Sequence, residues 1–432
     1  MLPFAVAMAE SVDLIISHAA ELVTHGAPGV PARGALMRPL VIPDGAVAIR
    51  GGRCVGFGVT SFVRRSFRPR RTLDASGRVV TPGLVDAHTH VAFAGTRVAE
   101  FEMRARGASY DEIARSGGGI LSSVRSTRAA GTAEIVRQTL PRLRRMLSNG
   151  TTTAEVKSGY ALDPSGEIAM LRAIRKLNAL QPIALVPTFL GAHAVPPEYR
   201  NRRSRYVDLI VRRMIPAAAR LARFCDVFCE PGYFSVSESS RILNAGRLHG
   251  LEPKLHADEF KHSGGAKLAA LLGAVSADHL GAIDASDIRV LAASNTIAVL
   301  LPGTLYTLGS RRLPPARRLI DAGAAVALGT DCNPGTNLCT SLPAAMNQAC
   351  VMLGMSPTES LLAATCNSAH AVGLGDTAGS IAGGRWADLV IWDADDHRRI
   401  AYEYGAGLAS LVLKRGRVVW SSSTFQASRR KL

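Results

Sequence analysis

Val79-Val80-Thr81-Pro82-Gly83-Leu84-Val85-Asp86-Ala87-His88-Thr89-His90 is an apolar, β-branched run that ends in two histidines one residue apart. On an extended backbone, residues i and i+2 point to the same side. His88 and His90 therefore offer two imidazoles to one point, at the end of a strand that reads as buried. A divalent cation such as zinc takes nitrogen donors at roughly 2.0–2.1 Å, so the pair suits a metal. A lone His-x-His also occurs on ordinary loops. The metal reading stands only if the rest of the chain supplies further donors.

Downstream of that run, apolar strands alternate with helical patterns. Segments 150–160, 183–193, 224–230, 253–259, 275–280, 296–301 and 325–330 bring the strand count, with 79–90, to eight. Between them, stretches such as 133–147 and 166–177 place apolar residues near the 3.6-residue period of an amphipathic helix. Eight strand–helix units fit a closed (β/α)8 TIM-like barrel of the α/β class. An open doubly wound sheet is the alternative, but no Gly-x-Gly-x-x-Gly follows an early strand to support a dinucleotide site.

Both ends of the chain have a different texture. Segments 13–16 and 45–58 read as strands, the second with a hairpin signal at Gly51-Gly52. Segments 388–393 and 411–420 repeat that pattern, while 25–43, rich in Gly and Pro, reads as a loop. A small β-sandwich assembled from both chain ends is expected. The expected division is 1–78 and 376–432 for that unit and 79–375 for the catalytic barrel.

Composition sets the outer limits. The chain has 432 residues, 47% hydrophobic and 20% charged, enough for one large domain and a smaller one. No apolar stretch approaches the ~20 residues of a membrane span. Met1-Leu2-Pro3-Phe4-Ala5-Val6-Ala7-Met8-Ala9 lacks a basic leading region, so a signal peptide is not expected, and Met8 is an alternative first residue. Seven cysteines, an odd number without framework spacing, point to reduced thiols and a cytoplasmic protein. Cys225-x3-Cys229 has no second Cys pair and reads as structural. The net charge of +17 raises nucleic-acid binding as a question. However, the arginines are scattered (64–65, 68–71, 202–203, 212–213, 311–312, 429–430) and only 5% of the chain is aromatic. They read as a solvated surface that would concentrate an anionic small substrate. Neither a nucleic acid nor a membrane is expected as a partner.

In such barrels the chemistry sits at the C-terminal ends of the strands. Those ends carry His88 and His90, Lys157-Ser158-Gly159-Tyr160, Gly191-Ala192-His193, His256-Ala257-Asp258-Glu259, Asp278-His279 and Gly329-Thr330-Asp331-Cys332-Asn333. Five histidines at coincident strand ends are hard to explain as unrelated structural residues. His88, His90, His256 and Asp331 can form a three-nitrogen, one-oxygen site with room for water. A bound cation lowers that water's pKa toward ~7. Glu259 is a candidate acid/base. Asp331 could accept the water proton, and His279 could hydrogen-bond a developing oxyanion.

With these residues in place, the chain resembles the amidohydrolase superfamily. Longer runs narrow the resemblance to the branch that acts in histidine degradation. They include Phe101-Glu102-Met103-Arg104-Ala105-Arg106-Gly107-Ala108-Ser109-Tyr110, Ser116-Gly117-Gly118-Gly119-Ile120, Glu155-Val156-Lys157-Ser158-Gly159-Tyr160, Thr188-Phe189-Leu190-Gly191-Ala192-His193 and Gly329-Thr330-Asp331-Cys332-Asn333-Pro334-Gly335. The resemblance implies hydrolytic opening of the cyclic amide of 4-imidazolone-5-propanoate to N-formimidoyl-L-glutamate, at one zinc or iron per chain. It implies His88, His90, His256 and Asp331 as metal ligands and Arg97 as the partner of the substrate's propanoate. Tyr160 and His193 would contact the ring or side chain. Glu259 and His279 would handle protons and the oxyanion, Glu259 also touching substrate. Asn333, Gly335 and Thr336 would complete the pocket. A homodimer is implied by the family and by the commonness of two-fold symmetry.

One departure matters. Many relatives hold two metals through a carboxylated lysine on strand four, but Asp226-Val227-Phe228-Cys229-Glu230 has no lysine and Lys157 falls on strand two. A mononuclear site is expected. The competing enzyme reading is a purine or pyrimidine deaminase, against which Arg97 argues, since a neutral base needs no carboxylate clamp. A non-catalytic barrel would be expected to lose ligands, and none of the four is missing.

Overall fold

The computed structural model describes residues 9–108, 112–113, 116–423 and 425. Met8, Ser109, Tyr110 and Arg429-Arg430, which entered the readings above, lie outside the described residues. Eight parallel strands form the central sheet. They are β1 (Leu84–Asp86), β2 (Thr151–Lys157), β3 (Ala184–Ala192) and β4 (Phe224–Cys229). The series continues with β5 (Glu252–Ala257), β6 (Ser276–His279), β7 (Ile297–Leu300) and β8 (Val326–Leu328). Each pairs with the next in chain order. The first and last meet at the rim, where Asp331 N donates to His88 O at 2.9 Å and His90 N to Cys332 O at 3.0 Å. This is the (β/α)8 barrel that the alternating pattern predicts.

The strand alternation sorts side chains between two surroundings. Val156, Val227, Leu255 and Ala277 point outward and share one apolar core with Leu143, Leu171, Ile174 and Leu243 of the surrounding helices. Those helices begin where the sequence supplies caps. Asp163 accepts from Gly166 N ahead of Pro164–Leu180, and Ser235 with Glu238 forms a capping box ahead of Val236–Leu248. The helix Ile120–Ser148, which contains the 133–147 pattern, is broken at Gly131 (φ 65°).

A second sheet draws strands from both chain ends. In spatial order it runs Arg417–Ser421, Ala409–Lys414, Leu389–Trp392, Val79–Pro82, Leu14–His25, Pro39–Arg50 and Arg53–Val59. Leu14, Ile16, Val47 and Ile49 from one half share an apolar cluster with Val80, Ile391, Leu411 and Leu413 from the other. The sheet also curls back on itself: Ala387 N donates to Gly52 O at 2.9 Å, and a Cβ on Gly52 would stand 3.0 Å from Arg415 O. A parallel ribbon, Glu10–Val12 with Phe67–Pro69, covers the opposite face with Val12 and Phe67 near Ile15, Ala46 and Ala48.

Two segment readings change. The run 79–90 is not one strand: Val79–Pro82 pairs in the second sheet and, after Gly83, Leu84–Asp86 opens the barrel. No side chain fits at the crossing, because a Cβ on Gly83 would stand 2.3 Å from Thr152 Oγ1. The segment 25–43 is a loop only in its middle, since Pro39–Arg50 is a strand whose Pro39 and Pro43 lie opposite His25 and Glu21. Proline's φ fits an extended backbone and forfeits only a ladder bond. The sheet docks on the barrel through Trp392, whose ring would meet a Cβ on Gly150 at 2.7 Å and whose Nε1 donates to Thr81 Oγ1 at 2.8 Å. Among the described residues, no helix is long and apolar enough to cross a membrane.

Candidate metal centre

His88, His90, His256 and Asp331 converge at the C-terminal mouth of the barrel. Nε2 of His90 lies 3.2 Å from Nε2 of His88 and 3.2 Å from Nε2 of His256. Asp331 Oδ1 faces the same point, 3.6 Å from His88 Nε2 and 3.7 Å from His90 Nε2. Donors at roughly 2.0–2.1 Å from a tetrahedral cation stand about 3.3–3.4 Å apart, so this set has the right spacing. Its chemistry also fits. His88 Nδ1 sits 2.6 Å from Asp278 Oδ2, which leaves the Nε2 lone pair turned toward two other Nε2 atoms. His90 Nε2 carries at most one proton and can donate to only one of its two neighbours, whereas one cation would satisfy all three nitrogens. Burial holds His88 and His90 well below the ordinary imidazole range, in the neutral form a metal requires.

Local backbone geometry aims these groups. Asp258 (φ 51°), His279 (77°), Leu280 (62°) and Asp331 (51°) are non-glycine residues in the left-handed region, all at or just past strand ends facing the site. Such conformations cost of order 1–3 kcal/mol each and persist where the surroundings hold them. Thr304 donates its hydroxyl to Asp331 Oδ2, leaving Oδ1 for the donor set. Burial pushes Asp331 up to about 6.

A cavity opens beside these donors. It is lined by ten of the twelve residues singled out from sequence: His90, Arg97, Tyr160, His193, His256, Glu259, His279, Asp331, Asn333 and Thr336. His88 lies behind the lining. Gly335 serves by having no side chain, since a Cβ there would stand 1.8 Å from Arg97 Nη1. Asn333 shapes its own loop, its Oδ1 accepting from Gly335 N and Thr336 N at 2.8 and 2.7 Å. His193 stacks on His90 at a 4.9 Å centroid distance and bonds Gly159 O through Nδ1 at 3.0 Å; burial pushes it down to about 3. Tyr160 is presented by a loop that the buried Glu167 gathers, accepting from the backbone N–H groups of Gly159, Ala161 and Leu162. Glu259 stands 3.5 Å from His279 Nδ1. Burial, with Asp331 and Glu230 nearby, holds Glu259 well above the ordinary carboxylate range.

Several members of this arrangement escaped the sequence reading. Arg97 is not a free loop cation: Glu100 Oε2 accepts from its Nε at 2.8 Å and lies 2.6 Å from its Nη2. The same oxygen accepts from Gly119 N at 3.2 Å. Arg97 and Glu100 stand three apart at the start of helix Val98–Ala105, a spacing that brings side chains together. Behind the histidines lie Asp278 and, beside His256 Nδ1 at 3.1 Å, Asp226. Their signal was a charge inside an apolar strand, as in Phe224-Cys225-Asp226-Val227. Lys157 and Lys254 carry the same signal. Lys157 offers no free amine for carboxylation. Burial alone would depress its ammonium, but Asp226, Glu155 and Asp278 hold it above the ordinary lysine range. Cys225 and Cys229 are both free and buried in β4.

The Amidohydrolase family pattern matches residues 79–419. The imidazolonepropionase of Chloroflexus aggregans is 51% identical over 422 residues, covering 95% of this chain and 99% of the relative. That of Symbiobacterium thermophilum is 50% identical over 417 residues, covering 94% and 97%. Among solved structures, a 5-methylcytosine deaminase from Klebsiella pneumoniae matches with TM-score 0.73 at 17% identity, over 95% of this chain and 98% of the other. A zinc-bound adenosine deaminase from Xanthomonas campestris matches with TM-score 0.68 at 20% identity, over 98% of each chain. At such identities the structural likeness speaks for the fold alone.

Proposed function

This chain belongs to the amidohydrolase family, and from that premise we propose that it opens the ring of 4-imidazolone-5-propanoate with water. The product is N-formimidoyl-L-glutamate, in histidine degradation. The observation that carries this reading is one cavity that joins a convergent donor set to the buried guanidinium of Arg97. Relatives at about half identity along nearly the whole chain support it. His88, His90, His256 and Asp331 would hold one divalent cation, zinc or iron. Bound there, it would supply Lewis-acid polarisation of the ring carbonyl and a water of lowered pKa.

The protein's own groups do the rest. Arg97, oriented by Glu100, pairs with the propanoate. Tyr160 and His193 flank the ring. Asp331 accepts the proton of the attacking water as its oxygen joins the carbonyl carbon. Glu259, whose burial favours the protonated form, passes a proton to the ring nitrogen as the carbon–nitrogen bond breaks. His279 donates to the developing oxyanion. Water is added across one bond, and solvent exchange restores Asp331 and Glu259. Seven cysteines without a disulfide among the described residues support a cytoplasmic setting for this reading.

Incubating purified protein with the imidazolone substrate and following the ring's ultraviolet absorbance tests the reading. Metal analysis run alongside should find stoichiometric zinc or iron. If the absorbance holds steady while a nucleobase is deaminated, the substrate assignment is wrong.

A further inference from the structure

Barrel interiors are ordinarily filled by branched apolar side chains. A buried ion pair is often no more stabilising than apolar residues of the same volume. The layer beneath the candidate ligands departs from that pattern. Glu155, Lys157, Asp226, Lys254 and Asp278 are all buried at 0% exposure, on the inward side of β2, β4, β5 and β6. Asp278 Oδ2 stands 2.6 Å from His88 Nδ1, and Asp226 Oδ2 3.1 Å from His256 Nδ1. Both carboxylates reach one ammonium: Lys157 Nζ lies 2.7 Å from Asp226 Oδ2 and 3.5 Å from Asp278 Oδ2. Glu155 Oε2 closes the far side, 2.9 Å from Lys157 Nζ and 2.9 Å from Lys254 Nζ. Lys254 also donates to the backbone carbonyl of Ala87, next to His88, at 3.2 Å.

We propose that Lys157 is a positioning residue for the metal: its ammonium cross-links Asp226 and Asp278, and through them sets the rings of His88 and His256 with both Nε2 lone pairs aimed at one cation. The inference rests on the ligand assignment above. An imidazole binds a cation through an unprotonated nitrogen, and a carboxylate at its other nitrogen keeps the proton there and fixes the ring. Two carboxylates close together away from water repel each other, so a cation between them is what lets both face the histidines. Lys157 does not line the cavity and is out of the substrate's reach. Its action is on the donor set alone.

The test is zinc affinity of the full-length protein, stripped of metal and titrated in competition with a chromophoric chelator. Lys157→Met keeps the unbranched stem of the side chain and removes the ammonium. With the circular dichroism spectrum retained, its zinc Kd should rise by about tenfold or more. A lysine of purely structural role would lower Tm and leave Kd within twofold, which overturns the proposal. Should Lys157→Met fail to fold, Asp226→Asn and Asp278→Asn preserve volume and carry the test. Each should weaken zinc by about 10- to 100-fold. The double variant should lose less than the product, since one ammonium serves both carboxylates; losses that simply multiply overturn the cross-link. His256→Ala separates the two levels. If it binds zinc like wild type, the ligand assignment is wrong; if it loses zinc while Lys157→Met does not, only the cross-link is.

Discussion

In the second sheet, alternate residues such as Ile16, Val47, Ile391 and Leu413 turn inward and meet in an apolar cluster. In the barrel the same two-residue alternation turns Glu155, Lys157, Asp226, Lys254 and Asp278 inward. Both interiors are buried, yet only the apolar one follows from the hydrophobic effect. The ionic one sits directly below the donor set and touches it. The difference teaches that the barrel's centre is built to hold charge in fixed places, and that the second sheet carries ordinary cohesion.

Four variants test that contrast, in falling order of their effect on turnover. His256→Ala, at the top of the ionic layer, should abolish metal binding and hydrolysis together; an active, metal-loaded variant would break the assignment. Arg97→Ala removes charge-assisted bonds worth about 1.5–3 kcal/mol, so KM for the imidazolone should rise by about 10- to 100-fold with kcat changed less. Glu100→Gln leaves the guanidinium in place but loosens it. Its KM should rise by several-fold, about 1 kcal/mol, and adding it to Arg97→Ala should have no further effect. A full additional loss would mean that Glu100 acts elsewhere. Leu413→Ala, in the apolar cluster, should lower stability by about 2–5 kcal/mol in denaturant titration. Zinc affinity and kcat should stay at wild-type values, and a parallel fall in kcat would erase the contrast.

Legibility followed the same line. Apolar runs were enough to place seven of the eight barrel strands within three residues, while the first was read as one strand with Val79–Pro82, which belongs to the second sheet. The donors were legible because histidine is rare in such strands and recurred at their ends. Glu100 was hidden because its value lies in a contact with Arg97, and an i,i+3 pair on a helix start looks like any surface salt bridge. The ionic layer was half visible, as charges in apolar strands, but which carboxylate stands behind which imidazole depends on register. His256 pairs with Asp278 across β5 and β6, and Asp226 with Lys254 across β4 and β5. The division at Gly83 was hidden because both sheets favour the same β-branched residues.

The strand Val79–Pro82 lies between Leu14–His25 and Leu389–Trp392. During synthesis, one neighbour is already made when it emerges, and the other follows roughly 300 residues later, the kind of sequence separation that slows folding. For most of translation the N-terminal half of the second sheet therefore has an open edge at Val79–Pro82, the template on which strands of other chains can add. A nascent chain stalled before residue 389 would carry that edge exposed, so the chaperone demand of this protein should persist through most of its synthesis and fall only in the last stretch.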